Sequence, residues 1–403
     1  MLYSFDRYCV DVKSRELKAG EVMIEIEPQV FDLLVYLIQH RDKVVSKEEL
    51  FETIWGGRIV SESTLTSRIN AARHAVGDTG AQQSLIRTSA RKGYRFVGLV
   101  RDGVNDNAPG DGQLTRPRAQ VRTASKRQEV RFCTAADGPS IAYATVGQGS
   151  PLVKAANWLN HLEYDWESPI WSHLLHWLAD DHQLIRYDAR GNGLSDWDVG
   201  DIAFENFVSD LEAVTEATGI KKFSLFGVSQ GCAVSIAYAV RYPERVDKLI
   251  LYGGFALGRR LRGKPVDAEQ AEAMLTLMRT GWGQENPAFR QFFTSLFVPG
   301  ATPEQMQWFN NLQRVTTSAE NAVKMRLVSD YMNIVDLLPQ VKVPTLVLHC
   351  RGDAVQPFEE GRRIAAGIPG ARFVALDGNN HLILEQDPGW PRFQQEMAGF
   401  LAS

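Results

Sequence analysis

Short runs that alternate apolar and polar positions open the chain, and a helical spacing of apolar positions follows them. Three alternating runs lie before residue 27: Tyr3–Phe5, Cys9–Val12 and Val22–Ile26. They predict a small antiparallel sheet. Apolar positions three and four residues apart then predict three helices, which begin at Pro28, at Ser46 and near Ser61. A final pair of short runs over Leu85–Phe96 predicts a β-hairpin with a basic tip.

Beyond residue 130, apolar runs of strand length alternate with stretches of helix length. The runs that predict buried strands are Leu152–Ala156, Gln183–Tyr187, Lys222–Phe226, Leu249–Tyr252, Thr345–His349 and Arg372–Leu376. This alternation predicts a parallel sheet with helices on both faces. A helical insertion rich in Met, Phe and Trp lies between Gly254 and about Pro339. The predicted fold class is therefore α/β here and α+β in the first hundred residues.

Residues 101–126 separate these two patterns. They are rich in Gly, Asp, Asn, Pro, Arg and Thr and hold few large apolar side chains. Such a composition predicts a flexible tether whose root-mean-square span is about 28 Å. The predicted domains are therefore 1–100 and 127–403, joined by a linker over 101–126, with the helical insertion at about 255–339.

Charge is unevenly distributed along the chain. The net charge of −4 gives no strong overall attraction to nucleic acid. Residues 58–95, however, hold seven basic and two acidic side chains. A local basic patch on an acidic protein fits a nucleic-acid-binding module, although an ordinary solvated face would show the same excess.

The cysteine spacing and the lengths of the apolar runs limit which metal sites and which cellular location the sequence predicts. The four cysteines are far apart and have no metal-binding spacing: Cys9, Cys133, Cys232 and Cys350. This usage indicates reduced thiols, and we expect no metal and no cofactor. The sequence has no basic-then-apolar leader, and no run approaches 18 apolar residues. We therefore expect a cytosolic protein without a membrane partner.

The sheet, the three helices and the basic hairpin together make a winged helix-turn-helix. Residues 3–98 resemble the OmpR/PhoB-type DNA-binding domain, in its CadC-like version, through EPQVFDLLVYLIQHRDKVVSKEELFETIW, VSESTLTSRINAARHAVGD and IRTSARKGYRFVG. The resemblance implies a double-stranded DNA partner, with the third helix in the major groove and the wing in the minor groove. Such relatives often carry a receiver domain or a membrane anchor. The sequence shows neither, so we expect the input signal to come from elsewhere.

The resemblance also assigns DNA contacts by position. The candidates are Ser67, Arg68 and Arg73 on the third helix, Arg91 and Lys92 at the wing tip, and Arg87 and Arg95 along the hairpin. The helix residues are groove or phosphate candidates, and the tip residues are the wing contacts. The hairpin pair would meet phosphates or support the hairpin itself.

One predicted strand-to-helix turn carries a nucleophile pattern. The segment Gly227–Gly231, with the sequence GVSQG, lies between the strand run Lys222–Phe226 and a helix of small residues. Such a G-x-S-x-G elbow holds its serine in a strained turn at a helix N-terminus, although small residues also flank serines by chance. Asp353 and His381 follow strands at the same predicted sheet edge. In this set His381 would accept the Ser229 proton, and Asp353 would orient the imidazole.

Residues 130–401 resemble the α/β-hydrolase superfamily. The resemblance rests on the elbow, on the D-x-R-G-x-G-x-S segment at 188–195, and on the chain order serine, aspartate, histidine. It implies an oxyanion hole of two backbone N–H groups, one of which belongs to Gln230. Many relatives have His-Gly-x at the second donor, whereas this chain has Ala156, Asn157 and Trp158. Because asparagine tolerates the left-handed backbone that glycine would adopt, we assign the second N–H to Trp158.

The insertion falls where this superfamily inserts a lid. Its apolar side chains would line a pocket over Ser229, which favours a small, largely apolar ester, lactone or similar acyl compound. Two functions stay open for this domain: a serine hydrolase that degrades or processes a signal, and a ligand sensor with little or no turnover. A purely structural role is least in keeping with a complete triad. Because one winged helix touches few bases and a flexible tether transmits no rigid motion, we also expect a homodimer.

Overall fold

The chain divides into two compact units, residues 1–119 and 120–403. The structure is a computed structural model, and it describes residues 2–12, 14–20, 22–24, 26–41, 43–55, 62–78, 83–89, 92–98, 100–103, 128–284 and 287–403. Each unit contains a hydrophobic core of its own. In these ranges, no helix has both the length and the apolar character that crossing a bilayer requires.

The first unit combines short strands with helices. Its strands are β1 (Leu2–Phe5), β2 (Tyr8–Asp11), β3 (Glu16–Ala19), β4 (Val22–Ile24), β5 (Ile86–Ser89), β6 (Gly93–Phe96) and β7 (Arg101–Gly103). Its helices are α1 (Pro28–Gln39), α2 (Lys47–Trp55) and α3 (Glu62–Ala75). One antiparallel sheet has the strand order β4-β3-β2-β1-β7, and β5 pairs with β6 as a hairpin. The predicted antiparallel sheet, helices and hairpin are therefore confirmed, but β3, which pairs between β2 and β4, was not among the predicted runs.

The helices of this unit pack through the apolar stripes that their spacing predicts. Helix α1 buries Val30, Phe31, Leu34, Leu37 and Ile38. The inner face of α3 buries Leu65, Ile69 and Ala72 against the same core, and Val76, directly after the helix, is buried with them. Before α2, the hydroxyl of Ser46 accepts the Glu49 N–H at 3.1 Å, which caps the helix as predicted.

The end of this unit differs from the predicted linker. Strand β7 pairs with β1, with Leu2 opposite Gly103 and Ser4 opposite Arg101. The first three residues of the predicted tether therefore belong to the sheet. Such a short strand forms through backbone N–H and C=O groups, so its sequence carries no apolar alternation from which to predict it. Residues 104–126 of the predicted tether lie outside the described residues.

The second unit alternates strands with helices. Its strands are β8 (Glu129–Thr134), β9 (Ser140–Val146), β10 (Ser150–Lys154), β11 (His182–Tyr187), β12 (Phe223–Val228), β13 (Val246–Tyr252), β14 (Thr345–Cys350) and β15 (Arg372–Leu376). The helices before the insertion are α4 (Leu162–Trp166), α5 (Ser172–Asp181), α6 (Phe204–Ala217) and α7 (Gln230–Arg241). Helices α8 (Pro265–Gly281), α9 (Pro287–Phe297), α10 (Pro303–Thr316) and α11 (Ala319–Asp330) lie between β13 and β14. Helices α12 (Phe358–Gly367) and α13 (Trp390–Ala402) end the unit.

One sheet organises this unit, in the order β15-β14-β13-β12-β10-β11-β9-β8. Strands β10 to β15 pair in parallel, and β8 and β9 extend the sheet as an antiparallel hairpin. All six residues of β14 are buried, which explains why the central strands have continuous apolar sequences. Because the parallel strands run in one direction, their carboxyl ends share one edge of the sheet, and the loops that follow β10, β12, β14 and β15 meet there.

Candidate active site and DNA-binding surface

Ser229 lies in a strained turn between β12 and α7. Its backbone has φ 53° and ψ −122°, a region that residues with a side chain rarely adopt. The two glycines of the segment allow close packing around this turn. A Cβ atom on Gly227 would lie 2.7 Å from the Cys232 Cα, and one on Gly231 would lie 2.8 Å from the Ala156 carbonyl oxygen. The turn therefore has the geometry that the G-x-S-x-G pattern predicts.

The structure brings Ser229, His381 and Asp353 together in one line of contacts. The His381 Nε2 lies 2.8 Å from the Ser229 Oγ, and the His381 Nδ1 lies 2.7 Å from the Asp353 Oδ2. The other Asp353 oxygen accepts the N–H groups of Val355 at 2.8 Å and Gln356 at 2.9 Å. A carboxylate on Nδ1 keeps the proton on that nitrogen, so that Nε2 is free to accept the serine proton.

The carboxyl of Asp353 is held in its charged form. Burial alone would raise its pKa, but the electrostatic interaction with His381 and the hydrogen bond to it outweigh burial and lower the pKa below its usual value. His349, which the sequence analysis left out of the site, also lies near, with its Nε2 3.7 Å from the Asp353 Oδ2 and 3.0 Å from the Gln356 carbonyl oxygen. It lies within β14 and not after it, so its position gave no signal of this contact.

The two predicted oxyanion donors line the same small cavity. Gln230 is the first residue of α7, and N–H groups in the first turn of a helix have no acceptor within that helix. Trp158 follows β10, and both residues line a cavity of about 10 Å³, close to the volume that holds one water molecule. Neither Ser229 nor His381 lines this cavity, so its position agrees with the two predicted donors but does not by itself place an oxyanion beside the nucleophile.

The expectation that Asn157 adopts a left-handed backbone conformation is wrong. Among the described residues, the non-glycine positions with positive φ are Asp6, Arg15, Gln83 and Ser229, and Asn157 is not one of them. Its side chain takes the structural role instead, because the Asn157 Oδ1 accepts from the Lys154 Nζ and the Asn157 Nδ2 donates to the Leu159 carbonyl. An asparagine can thus fix a turn through its amide without the conformation that glycine permits.

The segment at 188–195 shapes a loop. The Asp188 carboxylate accepts the N–H of Leu162 at 3.1 Å and the N–H of Leu194 at 2.9 Å. Burial raises the pKa of Asp188 to about 8, and these two N–H groups oppose that rise. A Cβ atom on Gly193 would lie 2.1 Å from the Asp188 Oδ2, so the loop requires glycine there. Within the described ranges, no three His, Cys, Asp or Glu side chains cluster as a metal site would require.

The insertion covers the candidate active site with aromatic side chains. The Phe297 ring lies edge-on to the His381 ring, with their centres 5.4 Å apart, and the Phe297 carbonyl accepts the His381 N–H at 2.8 Å. Trp282 stacks on Trp158 with ring centres 5.7 Å apart. Ser229 is only 7% exposed and His381 is fully buried. A substrate would therefore meet an apolar, closed site in this conformation.

Four of the predicted DNA contacts lie on the surface of the first unit: Ser67, Arg87, Lys92 and Arg95. Arg95 also donates to the Arg41 carbonyl at 3.0 Å. Arg68 is half-buried and forms an ion pair with Glu27. To contact DNA, its guanidinium would have to leave Glu27 or bind Glu27 and a phosphate together. Arg91 lies outside the described residues.

The structure does not support Arg73 as a DNA contact. This side chain is only 5% exposed, and its guanidinium donates to the Ile86 carbonyl and to the Thr88 hydroxyl. Arg73 therefore ties α3 to the hairpin. Its position four residues after Ile69 and three before Val76, both buried, is the spacing signal that places it beside the core.

Comparison with known proteins supports the two units separately. Residues 20–96 match the family described as "Transcriptional regulatory protein, C terminal". The uncharacterized transcriptional regulatory protein YkoG of Bacillus subtilis (strain 168) is 27% identical over 95 residues, which are 24% of this chain and 42% of that protein. The first unit is therefore an OmpR/PhoB-type DNA-binding domain, as the sequence predicted.

The second unit matches hydrolases. The AB hydrolase superfamily protein YisY of Bacillus subtilis (strain 168) is 27% identical over 243 residues, which are 59% of this chain and 86% of that protein. The thermophilic esterase from Thermogutta terrifontis, solved with malate bound, is 25% identical with a TM-score of 0.55, and the match covers 68% of this chain and 98% of that one. Residues 165–388 match the family described as "Serine aminopeptidase, S33", and the chain belongs to this α/β-hydrolase family, with an OmpR/PhoB-type domain before it.

Proposed function

We propose that this chain is a transcription regulator in which a winged-helix reader of double-stranded DNA is joined to a working serine hydrolase. The contacts that link Asp353, His381 and Ser229, at 2.7 and 2.8 Å, carry the proposal. They form the arrangement that activates a serine hydroxyl. The protein would act in the compartment that contains its DNA.

In the proposed reaction, Ser229 is the nucleophile. Its Oγ attacks the carbonyl carbon of the bound acyl compound, and its proton moves to the His381 Nε2. The negative charge on the carbonyl oxygen is stabilised by the N–H groups of Gln230 and Trp158. The bond between the carbonyl carbon and the alcohol oxygen then breaks, and His381 gives its proton to the departing alkoxide. An acyl-enzyme remains. Water, deprotonated by the same nitrogen, attacks the acyl carbon. The bond to the Ser229 Oγ then breaks, His381 returns the proton to that oxygen, and the acid leaves.

The aromatic cover above the site favours a small, largely apolar ester or lactone. Phe297 packs edge-on against His381, and Trp282 stacks on Trp158 in the proposed oxyanion turn. The similar chain from Thermogutta terrifontis is an esterase. The test is a panel of short-chain esters and lactones incubated with the purified protein, beside labelling of Ser229 by a fluorophosphonate. Absence of both hydrolysis and labelling would reject the proposed activity.

A ligand sensor with little turnover is the second candidate. It is favoured by the closed conformation, in which Ser229 is 7% exposed and His381 is fully buried. A ligand that must open such a cover changes the conformation of the insertion as it binds, which is the first requirement of a sensor.

The wing is tested by Lys92→Ala. Lys92 is exposed at the hairpin turn, so we propose that it contacts a phosphate. The variant is expected to bind specific and random duplex more weakly, and the slope of log affinity against log salt is expected to fall by about 1. Fluorescence anisotropy over a salt series measures both. Lys18→Ala is the control, because Lys18 lies on β3 and pairs with Glu16. An unchanged slope for Lys92→Ala would contradict its assignment.

We propose that the protein binds DNA as a homodimer, held through the hydrolase domain. One winged helix reads few bases, and two such modules on one operator would raise affinity and specificity together. Analytical ultracentrifugation is expected to give a dimer at working concentration. A monomer both free and on DNA would reject this proposal.

A further inference from the structure

A buried lysine lies beside the proposed oxyanion turn. Lys154 is the last residue of β10 and is only 6% exposed. Its Nζ donates to the Asn157 Oδ1 at 2.5 Å and lies 4.8 Å from the centre of the Trp171 ring. Within the described part of the chain, Lys154 forms no ion pair. Its direct polar contact is thus with the turn that carries Trp158.

Burial makes a charged lysine unfavourable at this position. Loss of hydration lowers the pKa of Lys154; Asp165 on α4 opposes this, Arg186 on β11 adds to it, and Asp188 opposes it. Replacing buried charged groups by apolar side chains of similar volume is often neutral or stabilising. Stability alone therefore does not account for a buried lysine that follows the apolar residues Leu152 and Val153 in this strand.

The Asn157 side chain connects the strand end to the far side of the turn. Its Oδ1 accepts from Lys154, and its Nδ2 donates to the Leu159 carbonyl at 3.4 Å. Trp158 lies between the residues that this side chain joins. Since Asn157 is not in the left-handed region, the amide contacts fix the turn without the backbone freedom of glycine.

We propose that Lys154 is a positioning residue for the oxyanion hole, which fixes the Trp158 N–H through the side chain of Asn157. The inference rests on the proposed hydrolase function, because only catalysis requires this N–H to point at a developing oxyanion. Lys154 contacts the Asn157 side chain, and its effect on the oxyanion hole would pass through that contact. The Lys154 Nζ donates to the Asn157 Oδ1, and β10 provides a rigid base for this contact.

A double-mutant cycle tests this role. Wild type, Lys154→Met, Asn157→Ala and the double variant are compared in the hydrolysis of p-nitrophenyl acetate. Displacement of a reacting group by about 1 Å can cost about 100-fold in rate. Each single variant is therefore expected to lose about 10- to 100-fold in kcat, with KM changed by less than about twofold. The double variant is expected to be no slower than the slower single variant, because both changes break one contact.

Lys248→Met is the matched control. Lys248 also lies over an aromatic ring and donates to a carbonyl, with the Phe400 centre at 6.0 Å and the Leu401 oxygen at 2.9 Å, but it lies on β13 outside the proposed site. This variant is expected to retain kcat within about twofold. Unchanged kcat in Lys154→Met, even with a lower melting temperature, would overturn the proposal. The proposal would also be overturned if the double variant lost kcat by the product of the two single-variant losses, because the two changes would then act independently.

A crystal structure of Lys154→Met gives a readout that does not depend on activity. The Trp158 N–H is expected to move relative to the Gln230 N–H, on the order of 1 Å, with the elbow unchanged. A turn that stays in place overturns the inference. If wild type neither hydrolyses esters nor reacts with a fluorophosphonate, the proposed hydrolase function fails, and this comparison still decides whether Lys154 holds the turn.

Discussion

Replacing Ser229 with alanine is expected to lower ester hydrolysis by on the order of a million-fold, because the change removes the nucleophile. Only one oxygen atom is lost, so the pocket keeps nearly the same shape. DNA binding without ligand is expected to stay unchanged, since the first unit has a core of its own. Initial rates with the purified protein and fluorescence anisotropy on DNA measure the two effects.

Ser235→Ala is the matched control for this experiment. Ser235 is a buried serine on α7 whose hydroxyl donates to the Gly231 carbonyl at 2.7 Å, and it makes no contact with His381. It is expected to retain most of the hydrolysis. Equal hydrolysis by wild type and Ser229→Ala would contradict the assignment of Ser229 as nucleophile.

The ligand response of Ser229→Ala separates the proposed roles of the hydrolase domain. A sensor is expected to keep its response, with about 1–3 kcal/mol of coupling between ligand and DNA. An enzyme that destroys its signal is expected to become hypersensitive, because the effector persists. An enzyme that processes its signal is expected to lose the response until product is supplied. A reporter dose–response for both proteins distinguishes these outcomes.

Most of the fold could be predicted because burial leaves a clear pattern in the sequence. Strand β14 is buried along its whole length and reads as one apolar run, and α1 shows its buried stripe at helical spacing. Strand β7 could not be predicted in the same way. Its three residues pair with β1 through the backbone, which the sequence Arg-Asp-Gly does not reveal.

The candidate site was also predictable only in part. The elbow was predictable because Gly227 and Gly231 are required by close contacts on either side of Ser229. The direction in which a long charged side chain turns was not predictable. Arg73 turns inward to the Ile86 carbonyl, and Lys154 turns toward Asn157. In the sequence, Arg73 and Lys154 look like ordinary basic residues. The groups to which they donate come close to them only when the chain folds.

Asp353→Asn is expected to lower kcat by about ten-thousand-fold while the fold is retained. The Asp353 Oδ1 accepts the N–H groups of Val355 and Gln356, and an asparagine oxygen can still do so. Its NH₂ group would then face the His381 Nδ1 in place of the Asp353 Oδ2. That contact favours the tautomer with the proton on Nε2, which can no longer accept a proton from Ser229.

The loss is expected in kcat and not in stability, and Asp387→Asn provides the comparison. Asp387 is a buried carboxylate on the loop that carries His381; it accepts from Asn380 at 2.7 Å and from the Leu384 N–H at 2.8 Å and does not contact the imidazole. Its variant is expected to melt at a lower temperature but to keep kcat within about tenfold. Steady-state kinetics and thermal melts of both variants measure the difference. A loss of kcat in Asp353→Asn no larger than in Asp387→Asn would mean that Asp353 supports the loop and does not set the histidine tautomer.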